Sequence, residues 1–198
     1  MWDKRYDVEE YVYGEEPNTF LAKNQASLPM GRILCLAEGE GRNAVFLARQ
    51  GYEVTAVDSS SVGLAKGRRL AERQGVSVHW VHADLADYPM GRDRWEGIVS
   101  IFCHLPPDLR GRVHRQVAEG LKPGGVLLLE GYTVDQLELG TGGPPVAELL
   151  LSQDIVREEI PGLEFTRLAE LTRDVTEGTL HRGTGAVVQA IAIKRHQK

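Results

Sequence analysis

Residues 32–58 constrain the fold of this chain more than any other stretch. An unbroken apolar run at residues 33–37 is what a parallel strand covered on both faces requires. A glycine pair, a short helical stretch and a second apolar run follow it, at residues 39–41, 43–50 and 53–57. Asp58 ends the second run, so the order is strand, glycine turn, helix, strand and acid. This order predicts a βαβ unit that binds a nucleoside-containing cofactor.

The glycines and the acid of this unit predict separate contacts. Gly39 and Gly41 allow the backbone to turn tightly and to approach a ligand closely. Asp58 is placed to accept hydrogen bonds from the two hydroxyls of a ribose. The pattern Gly39-x-Gly41-x-x-Ala44 also fits the dinucleotide fingerprint, so these residues alone leave an NAD-dependent oxidoreductase open. A βαβ unit that binds no ligand is the other alternative.

The wider stretch resembles motif I of the class I S-adenosylmethionine-dependent methyltransferases, in which an apolar strand leads into a small-x-Gly-x-Gly turn. Its continuation is similar to that of the tellurite-resistance-type branch, relatives of the thiopurine methyltransferases. The residues that carry this likeness are Gly41-Arg42-Asn43, Leu47-Ala48 and Gly51-Tyr52-x-Val54-Thr55-Ala56-x-Asp58. The resemblance implies S-adenosyl-L-methionine as the cofactor and methyl transfer as the reaction.

Two positions depart from the pattern of that family. It usually has Asp at position 35 and Gly at position 37, whereas this chain has Cys35 and Ala37. Without a carboxylate at position 35, the methionine ammonium needs another partner, and Glu38 in the turn is expected to supply the charge. The same departures leave open a non-catalytic protein that binds a cofactor or a partner on this fold.

Composition bounds the number of domains and the kinds of ligand. At 198 residues, with 42% hydrophobic and 26% charged residues, the chain is expected to form one α/β domain. Its net charge of −5 disfavours a protein held to nucleic acid by its overall field. The arginines that cluster on two predicted helices are interpreted as solvated faces. They are Arg68, Arg69 and Arg73 on one helix, and Arg110, Arg112 and Arg115 on the other.

The chain shows no pattern that directs it to a membrane. No apolar h-region follows Met1, and the longest apolar runs have the length of strands rather than of a membrane span. Cys35 and Cys103 fall in or beside predicted strands, where buried reduced thiols are expected. No set of His, Cys, Asp and Glu has the spacing of zinc ligands. These observations predict a cytoplasmic protein without a metal site.

The resemblance also implies the architecture, a Rossmann-like, doubly wound α/β sheet of seven strands. The sheet is expected to be mostly parallel, with an antiparallel last strand between the fifth and the sixth. Further strands are predicted at residues 77–81, 98–102, 126–129, 164–172 and 186–194. Helices are predicted at residues 20–26, from the serines at 59–61 to about 74, from the prolines at 106 and 107, and at 146–160 with a break at Ser152. Residues 133–145 fit no regular element.

We expect a single methyltransferase domain over residues 1–198. Residues 31–132 are predicted to form the cofactor-binding half and residues 133–198 the acceptor-side half. Residues 1–30 contain Tyr11-x-Tyr13-Gly14-x-x-Pro17-Asn18-x-Phe20-Leu21, which resembles the N-terminal arm that folds over the cofactor in this family. The alternative is a surface arm packed on the edge of the sheet.

Further cofactor contacts follow from the resemblance. An acid after the third strand reads the adenine amino group in the methyltransferases, which makes Asp84 a candidate, and a plain loop acid is its alternative. Phe102 ends the fourth strand, beside the crevice in which ligands bind in doubly wound sheets. The expected cofactor-binding residues are Glu38, Gly39, Gly41, Asn43, Asp58, Ser59, Asp84, Leu85 and Phe102.

The acceptor site is expected at the other end of the crevice. His104 closes the fourth strand, Tyr132 closes the fifth, and a glycine-rich stretch at residues 140–145 is interpreted as a substrate loop. In the tellurite-type branch a Leu-His-Arg before the last strand lies at the acceptor site, which implies catalytic roles for His181 and Arg182. Histidine can take a proton near neutral pH, and arginine can orient an anion. A hairpin with exposed polar residues is the alternative.

These inferences predict transfer of a methyl group from S-adenosyl-L-methionine to a nucleophile on a small molecule. His104, His181 and Arg182 are the expected catalytic residues, and no metal ligands are expected. The acceptor remains open between a thiol, an oxyanion, an amine and a metalloid. The oligomeric state is open as well.

Overall fold

The computed structural model describes residues 2–196, apart from the side chain of His181. Within these residues one sheet contains β1 (Arg32–Leu36), β2 (Glu53–Asp58), β3 (His79–His82), β4 (Trp95–Ile101), β5 (Leu121–Tyr132), β6 (Leu163–Glu177) and β7 (His181–Lys194). The strand order is β3-β2-β1-β4-β5-β7-β6. Strands β1 to β5 pair in parallel, and β7 is antiparallel to both of its neighbours. The predicted doubly wound sheet and the inserted last strand are confirmed.

Helices connect the strands and pack on both faces of the sheet. They are α1 (Trp2–Tyr6), α2 (Thr19–Asn24), α3 (Arg42–Arg49), α4 (Ser61–Arg73), α5 (Pro107–Gly120), α6 (Gln136–Leu139) and α7 (Gln153–Glu159). Short 3₁₀ turns follow α2 and precede α7, at Gln25–Ser27 and Ala147–Leu149. The predicted break at Ser152 is confirmed, because this residue caps α7 by accepting a hydrogen bond from the N–H of Ile155.

Two hydrophobic cores lie on opposite faces of the sheet. Alternate residues of β1 enter them, since successive side chains of a strand point to opposite faces. Leu34 and Leu36 pack in the core under α5 and α7, whereas Ile33 and Cys35 pack in the core under α2 and α3. The unbroken apolar run of β1 therefore reflects burial on both sides, as the sequence predicts.

The last two strands are longer than their apolar runs indicate. β6 and β7 were expected at residues 164–172 and 186–194, but their ladder continues to a pair between Glu177 and His181. The connection is therefore a tight turn at residues 178–180, which is much shorter than the gap between the two predicted strands. The extension was missed because it contains polar and charged residues, among them Arg173 and Glu177, whose side chains are paired inside the protein.

Two loop predictions are wrong for local reasons. Residues 133–145 contain α6, which ends at Gly140 with a left-handed φ of 62° and is held by the buried side chain of Gln136. Residues 122–125 have the sequence Lys-Pro-Gly-Gly, which predicts a turn before the expected strand at 126–129. They lie within β5 instead, where the pairing with β4 changes register between Trp95 and Gly97.

One face of α5 is less exposed than predicted. Arg110 was interpreted as a solvated side chain, but it is buried, and so is His114 one turn further along the helix. The guanidinium of Arg110 donates to both carboxylate oxygens of Glu159 in α7, and His114 Nδ1 lies 2.7 Å from Glu159 Oε2. Their burial is possible because Glu159, from a distant part of the chain, pairs with both side chains. No local sequence pattern predicts that pairing.

Candidate functional site

A cavity of about 590 Å³ opens at the carboxyl ends of the parallel strands. It lies where β1 and β4 are neighbours, which is the point at which the strand order reverses. Seven of the nine expected cofactor residues line it: Glu38, Asn43, Asp58, Ser59, Asp84, Leu85 and Phe102. The sheet therefore brings together residues that are far apart in the sequence.

Asp58 is held in place by the backbone around it. Its Oδ2 accepts a hydrogen bond of 2.8 Å from the N–H of Gly39, and its Oδ1 accepts one of 2.7 Å from the N–H of Ser60. Each carboxylate oxygen has a second lone pair, which leaves acceptors for a ligand on the cavity side. Burial raises the pKa of this carboxyl. Asp58 therefore orders the glycine turn as well as facing the cavity.

Glu38 supplies a carboxylate at the position where the turn leaves β1. Its Oε1 accepts a hydrogen bond of 2.7 Å from the N–H of Ala44, at the start of α3. Burial raises the pKa of Glu38 to about 7. Cys35 is fully buried and does not line the cavity. Two acids of the turn that follows β1, Glu38 and Glu40, therefore line the cavity, and Glu40 is paired with Lys66.

The two glycines of the turn have packing roles that the sequence did not predict. A Cβ on Gly39 would lie 2.5 Å from the hydroxyl oxygen of Tyr6, and a Cβ on Gly41 would lie 2.6 Å from the ring of Trp80 and 2.8 Å from Gly67 Cα. Both glycines have left-handed φ, 61° and 89°. Neither lines the cavity, so contact of either one with a cofactor stays a prediction.

Two non-glycine residues at the cavity have left-handed backbones. Ala37 has a φ of 48° and Phe102 a φ of 51°, and both line the cavity. Such conformations cost about 1–3 kcal/mol and are found most often at functional sites. The geometry also explains why the related family usually has Gly at position 37, since glycine adopts this φ without strain.

An aromatic wall forms the far side of the cavity. The rings of Phe102 and Tyr132 stack with centroids 4.6 Å apart, and His104 stacks on Tyr132 at 5.8 Å. Both ring nitrogens of His104 are engaged by the backbone, Nδ1 with the carbonyl of Leu149 and Nε2 with the N–H of Tyr132. Burial lowers the pKa of His104 to about 4. His104 is therefore a neutral part of the wall, and its geometry does not fit a general base.

The structure does not place His181 or Arg182, the predicted acceptor residues of the last hairpin, among the residues that line the cavity. Arg182 is exposed and is not among the residues that line the cavity, and the side chain of His181 lies outside the described part of the structure. Leu180 in the turn between β6 and β7 does line it. The glycine-rich stretch contributes residues 142–145 to the same side. This side of the cavity is mainly apolar.

The N-terminal arm forms the roof of the cavity. Trp2, Arg5, Tyr6, Tyr13 and Gly14 line it from above the glycine turn. The arm is anchored by Lys66 of α4, whose buried ammonium donates to three carbonyls of the arm, including those of Val8 and Glu10. Within the described residues the arm therefore lines the cavity, and its contact with a cofactor stays a prediction.

A buried network of charges joins the arm, the glycine turn and the last hairpin. Arg42 Nη2 lies 2.6 Å from Glu177 Oε2, and Arg173 Nη2 lies 2.8 Å from Glu177 Oε1. Arg173 also pairs with Glu130 at 2.7 Å, and the side-chain amide of Asn18 donates to both glutamates. Of these five residues only Arg42 and Asn18 lie in motifs noted in the sequence. The position of Arg42, at the start of the helix after the glycine turn, was the one sequence feature that placed a member of the network near the site.

The part of the chain that the structure describes contains neither a metal site nor a membrane span. No group of three or more His, Cys, Asp or Glu residues between positions 2 and 196 is arranged to hold a metal ion. No helix over the same positions has the length and the apolar character needed to cross a membrane.

Comparison with known proteins finds a family that part of the chain matches and solved structures with a similar fold. Residues 33–125 match the family described as methyltransferase domain. The chain is 37% identical over 98 residues to the uncharacterized methyltransferase YbaJ of Bacillus subtilis, covering 49% of this chain and 38% of YbaJ. It is 28% identical over 167 residues to glycine N-methyltransferase of Rattus norvegicus, covering 75% of this chain and 51% of that enzyme. This chain thus spans about half the length, or less, of these curated relatives.

A solved structure matches the whole chain. It was determined in work on the conversion of a disulfide bond into a thioacetal group during echinomycin biosynthesis. The TM-score is 0.78 at 18% sequence identity, and the match covers 100% of this chain and 92% of the other. At this identity the likeness concerns the fold alone.

Proposed function

We propose that this chain transfers a methyl group from S-adenosyl-L-methionine to a nucleophile on a small molecule, and the match of residues 33–125 to the methyltransferase-domain family supports this proposal. The observation that carries the proposal is one cavity that combines Glu38, Asp58 and Asp84 with an aromatic and apolar far wall. The cofactor of this family is S-adenosylmethionine, which supplies an activated methyl group on a sulfonium. The tellurite-resistance-type branch is the finer assignment, and it rests on the residues quoted for the resemblance.

The residues present fit such a cofactor. It carries an ammonium, a ribose diol and an adenine, and the cavity offers one carboxylate to each from a different strand end. Glu38 would accept from the ammonium, Asp58 from the ribose and Asp84 from the adenine amino group. Hydrogen bonds that involve a charged group are stronger than those between neutral groups, so a carboxyl at each of these three positions would give both affinity and orientation.

The far wall would hold the methyl acceptor. Displacement at a methyl group depends mainly on alignment of the nucleophile with the methyl and the leaving sulfur. Phe102, Tyr132 and Leu180 present a rigid apolar surface on which an acceptor would be oriented. A general base remains assigned to His181 as a hypothesis, with Arg182 beside it, since the ring of His104 is fully engaged.

Calorimetric titration with S-adenosylhomocysteine, and separately with NADH, tests the proposal. We expect S-adenosylhomocysteine to bind and NADH not to bind. Asp58→Asn should weaken the first by about tenfold or more, because a charged acceptor contributes about 1.5–3 kcal/mol. It should also lower stability, since the carboxylate holds the N–H groups of Gly39 and Ser60.

The other outcomes of this experiment separate the alternatives. Binding of NADH but not of S-adenosylhomocysteine would support an NAD-dependent oxidoreductase instead of a methyltransferase. Binding of S-adenosylhomocysteine without methyl transfer to a panel of thiols, amines, oxyanions and metalloid anions would support the non-catalytic protein. An unchanged dissociation constant for Asp58→Asn would remove Asp58 from the cofactor site.

Proton release on binding tests the role of Glu38. With a pKa of about 7, this side chain is about half protonated at pH 7 in the free protein. An ammonium ligand favours the ionised form, so binding should release about half a proton at pH 7. Affinity for S-adenosylhomocysteine should therefore rise from pH 6 to pH 8 and fall as the pH drops through the pKa.

Calorimetry in two buffers of different ionisation enthalpy measures this release. Glu38→Gln is the matched variant, because it keeps the shape of the side chain and cannot ionise. It should bind more weakly and release no proton. Equal release by the wild type and the variant would assign the proton to another group.

A further inference from the structure

Glu177 connects three separate parts of the chain. Its side chain is 2% exposed and accepts from Arg42 at the start of α3, from Arg173 on its own strand and from Asn18 of the arm. Removal of one partner from such a buried pair leaves the other charges uncompensated, so the three segments are held in one arrangement. Glu177 is not among the residues that line the cavity.

The turn that follows Glu177 determines the position of Leu180, which lines the cavity. A Cβ on Gly178 would lie 2.3 Å from the carbonyl oxygen of Val12, so only glycine allows the turn to approach the arm this closely. The N–H of Thr179 donates to the same carbonyl at 2.9 Å. Leu180 comes next and lines the cavity. The position of this acceptor-side residue is therefore set by contacts of the three residues before it.

The glycine turn holds the arm from the opposite side. Arg42 Nη1 donates to the carbonyl of Tyr13 at 3.2 Å, and Glu40 Oε2 accepts from the N–H of the same residue at 3.2 Å. Tyr13 in turn lines the cavity. The turn against which a cofactor would lie and the hairpin that bears Leu180 thus share Arg42, whose guanidinium contacts both the arm and Glu177.

We propose that Glu177 is a positioning residue that couples the cofactor end of the cavity to its acceptor wall. A ligand at the glycine turn restrains Arg42 and the arm, and Glu177 transmits this restraint to the turn that carries Leu180. By linkage, a cofactor that orders the acceptor wall also raises the affinity for the acceptor. The inference rests on the proposed function only for the identity of the cofactor, since the contacts that carry it are those of the protein alone.

Hydrogen exchange of single amides tests the coupling. The reporters are the N–H groups of Tyr13 and Thr179, which join the arm to the glycine turn and to the hairpin. In the ligand-free protein, Glu177→Gln should speed exchange at both by about tenfold or more, because a local opening that breaks the network becomes easier. Asp174→Asn is the control, since it removes an exposed carboxylate from the same strand.

S-adenosylhomocysteine provides the second arm of the test. In the wild type and in Asp174→Asn its binding should slow exchange at Gly39, Ala44 and Thr179. In Glu177→Gln it should still bind and slow exchange at Gly39 and Ala44, while Thr179 keeps its fast rate. Equal slowing at Thr179 in both variants would overturn the proposal.

Two further outcomes remain informative. If the wild type does not bind S-adenosylhomocysteine, the proposed function fails, while the ligand-free exchange rates still decide whether Glu177 couples arm and hairpin. If Glu177→Gln does not fold, Glu177→Asp takes its place, because it keeps the charge and draws the carboxylate back from Arg42, Arg173 and Asn18. It should speed exchange at Tyr13 and Thr179, and unchanged rates at both would overturn the proposal.

Discussion

Glu130→Gln is expected to lower the free energy of unfolding by about 3–5 kcal/mol, the usual loss when one partner of a buried ion pair is removed. Glu130 lies on β5 with its side chain fully buried. It accepts two hydrogen bonds from Arg173, of 2.8 and 2.7 Å, one of 2.6 Å from Asn18 and one of 2.7 Å from Gln189. A glutamine would remove the negative charge and turn an NH₂ toward these donors.

Urea denaturation of the wild type and the variant measures this loss. Asp174→Asn again serves as the control, because it is an exposed substitution of the same kind and should change stability by less than about 0.5 kcal/mol. A loss below about 1 kcal/mol for Glu130→Gln would show that the network relaxes around the missing charge. The glutamate would then contribute little to stability, and its burial would need another explanation.

The parallel half of the sheet was predictable because its signals are local. The apolar run of β1, the glycine turn and Asp58 follow each other within one short stretch, so periodicity and residue type were enough. The strand order of the last three strands came from the resemblance to a family and not from any pattern in this chain. The structure confirms that order.

The parts of the fold that could not be predicted depend on distant partners. Arg110 was interpreted as solvated, but in the structure Glu159 pairs with it and with the neighbouring His114. The extension of β6 contains Arg173 and Glu177, which look like surface charges in the sequence. A charged side chain is buried only where an oppositely charged partner lies beside it. Pairs between distant parts of the chain cannot be predicted from the spacing of residues in the sequence.

The candidate site divides in the same way. Residues at strand ends, such as Asp58 and Asp84, line the cavity because the fold itself directs strand ends there, and their contacts with a cofactor stay a prediction. The roles of residues that face the arm were not predicted. Gly39 was expected to leave room for a cofactor, but in the structure its missing Cβ leaves room for Tyr6.

Gly39→Ala is expected to weaken binding of S-adenosylhomocysteine by tenfold or more through displacement of the arm. An alanine at a φ of 61° is strained by about 1–2 kcal/mol, and its Cβ would lie 2.5 Å from the hydroxyl oxygen of Tyr6. The ring of Tyr6 is buried and lines the cavity, so it cannot move away without opening the roof. A tenfold loss corresponds to about 1.4 kcal/mol.

A double-mutant cycle with Tyr6→Ala identifies the group that Gly39 accommodates. If the clash is with Tyr6, removal of its ring relieves it, and the double variant should bind S-adenosylhomocysteine as well as Tyr6→Ala alone. If the backbone of Gly39 instead lies against the cofactor, the two losses should add. Additive losses would support direct contact between Gly39 and the cofactor, as expected from the sequence. Non-additive losses would show that Gly39 is needed because Tyr6 of the arm packs against it.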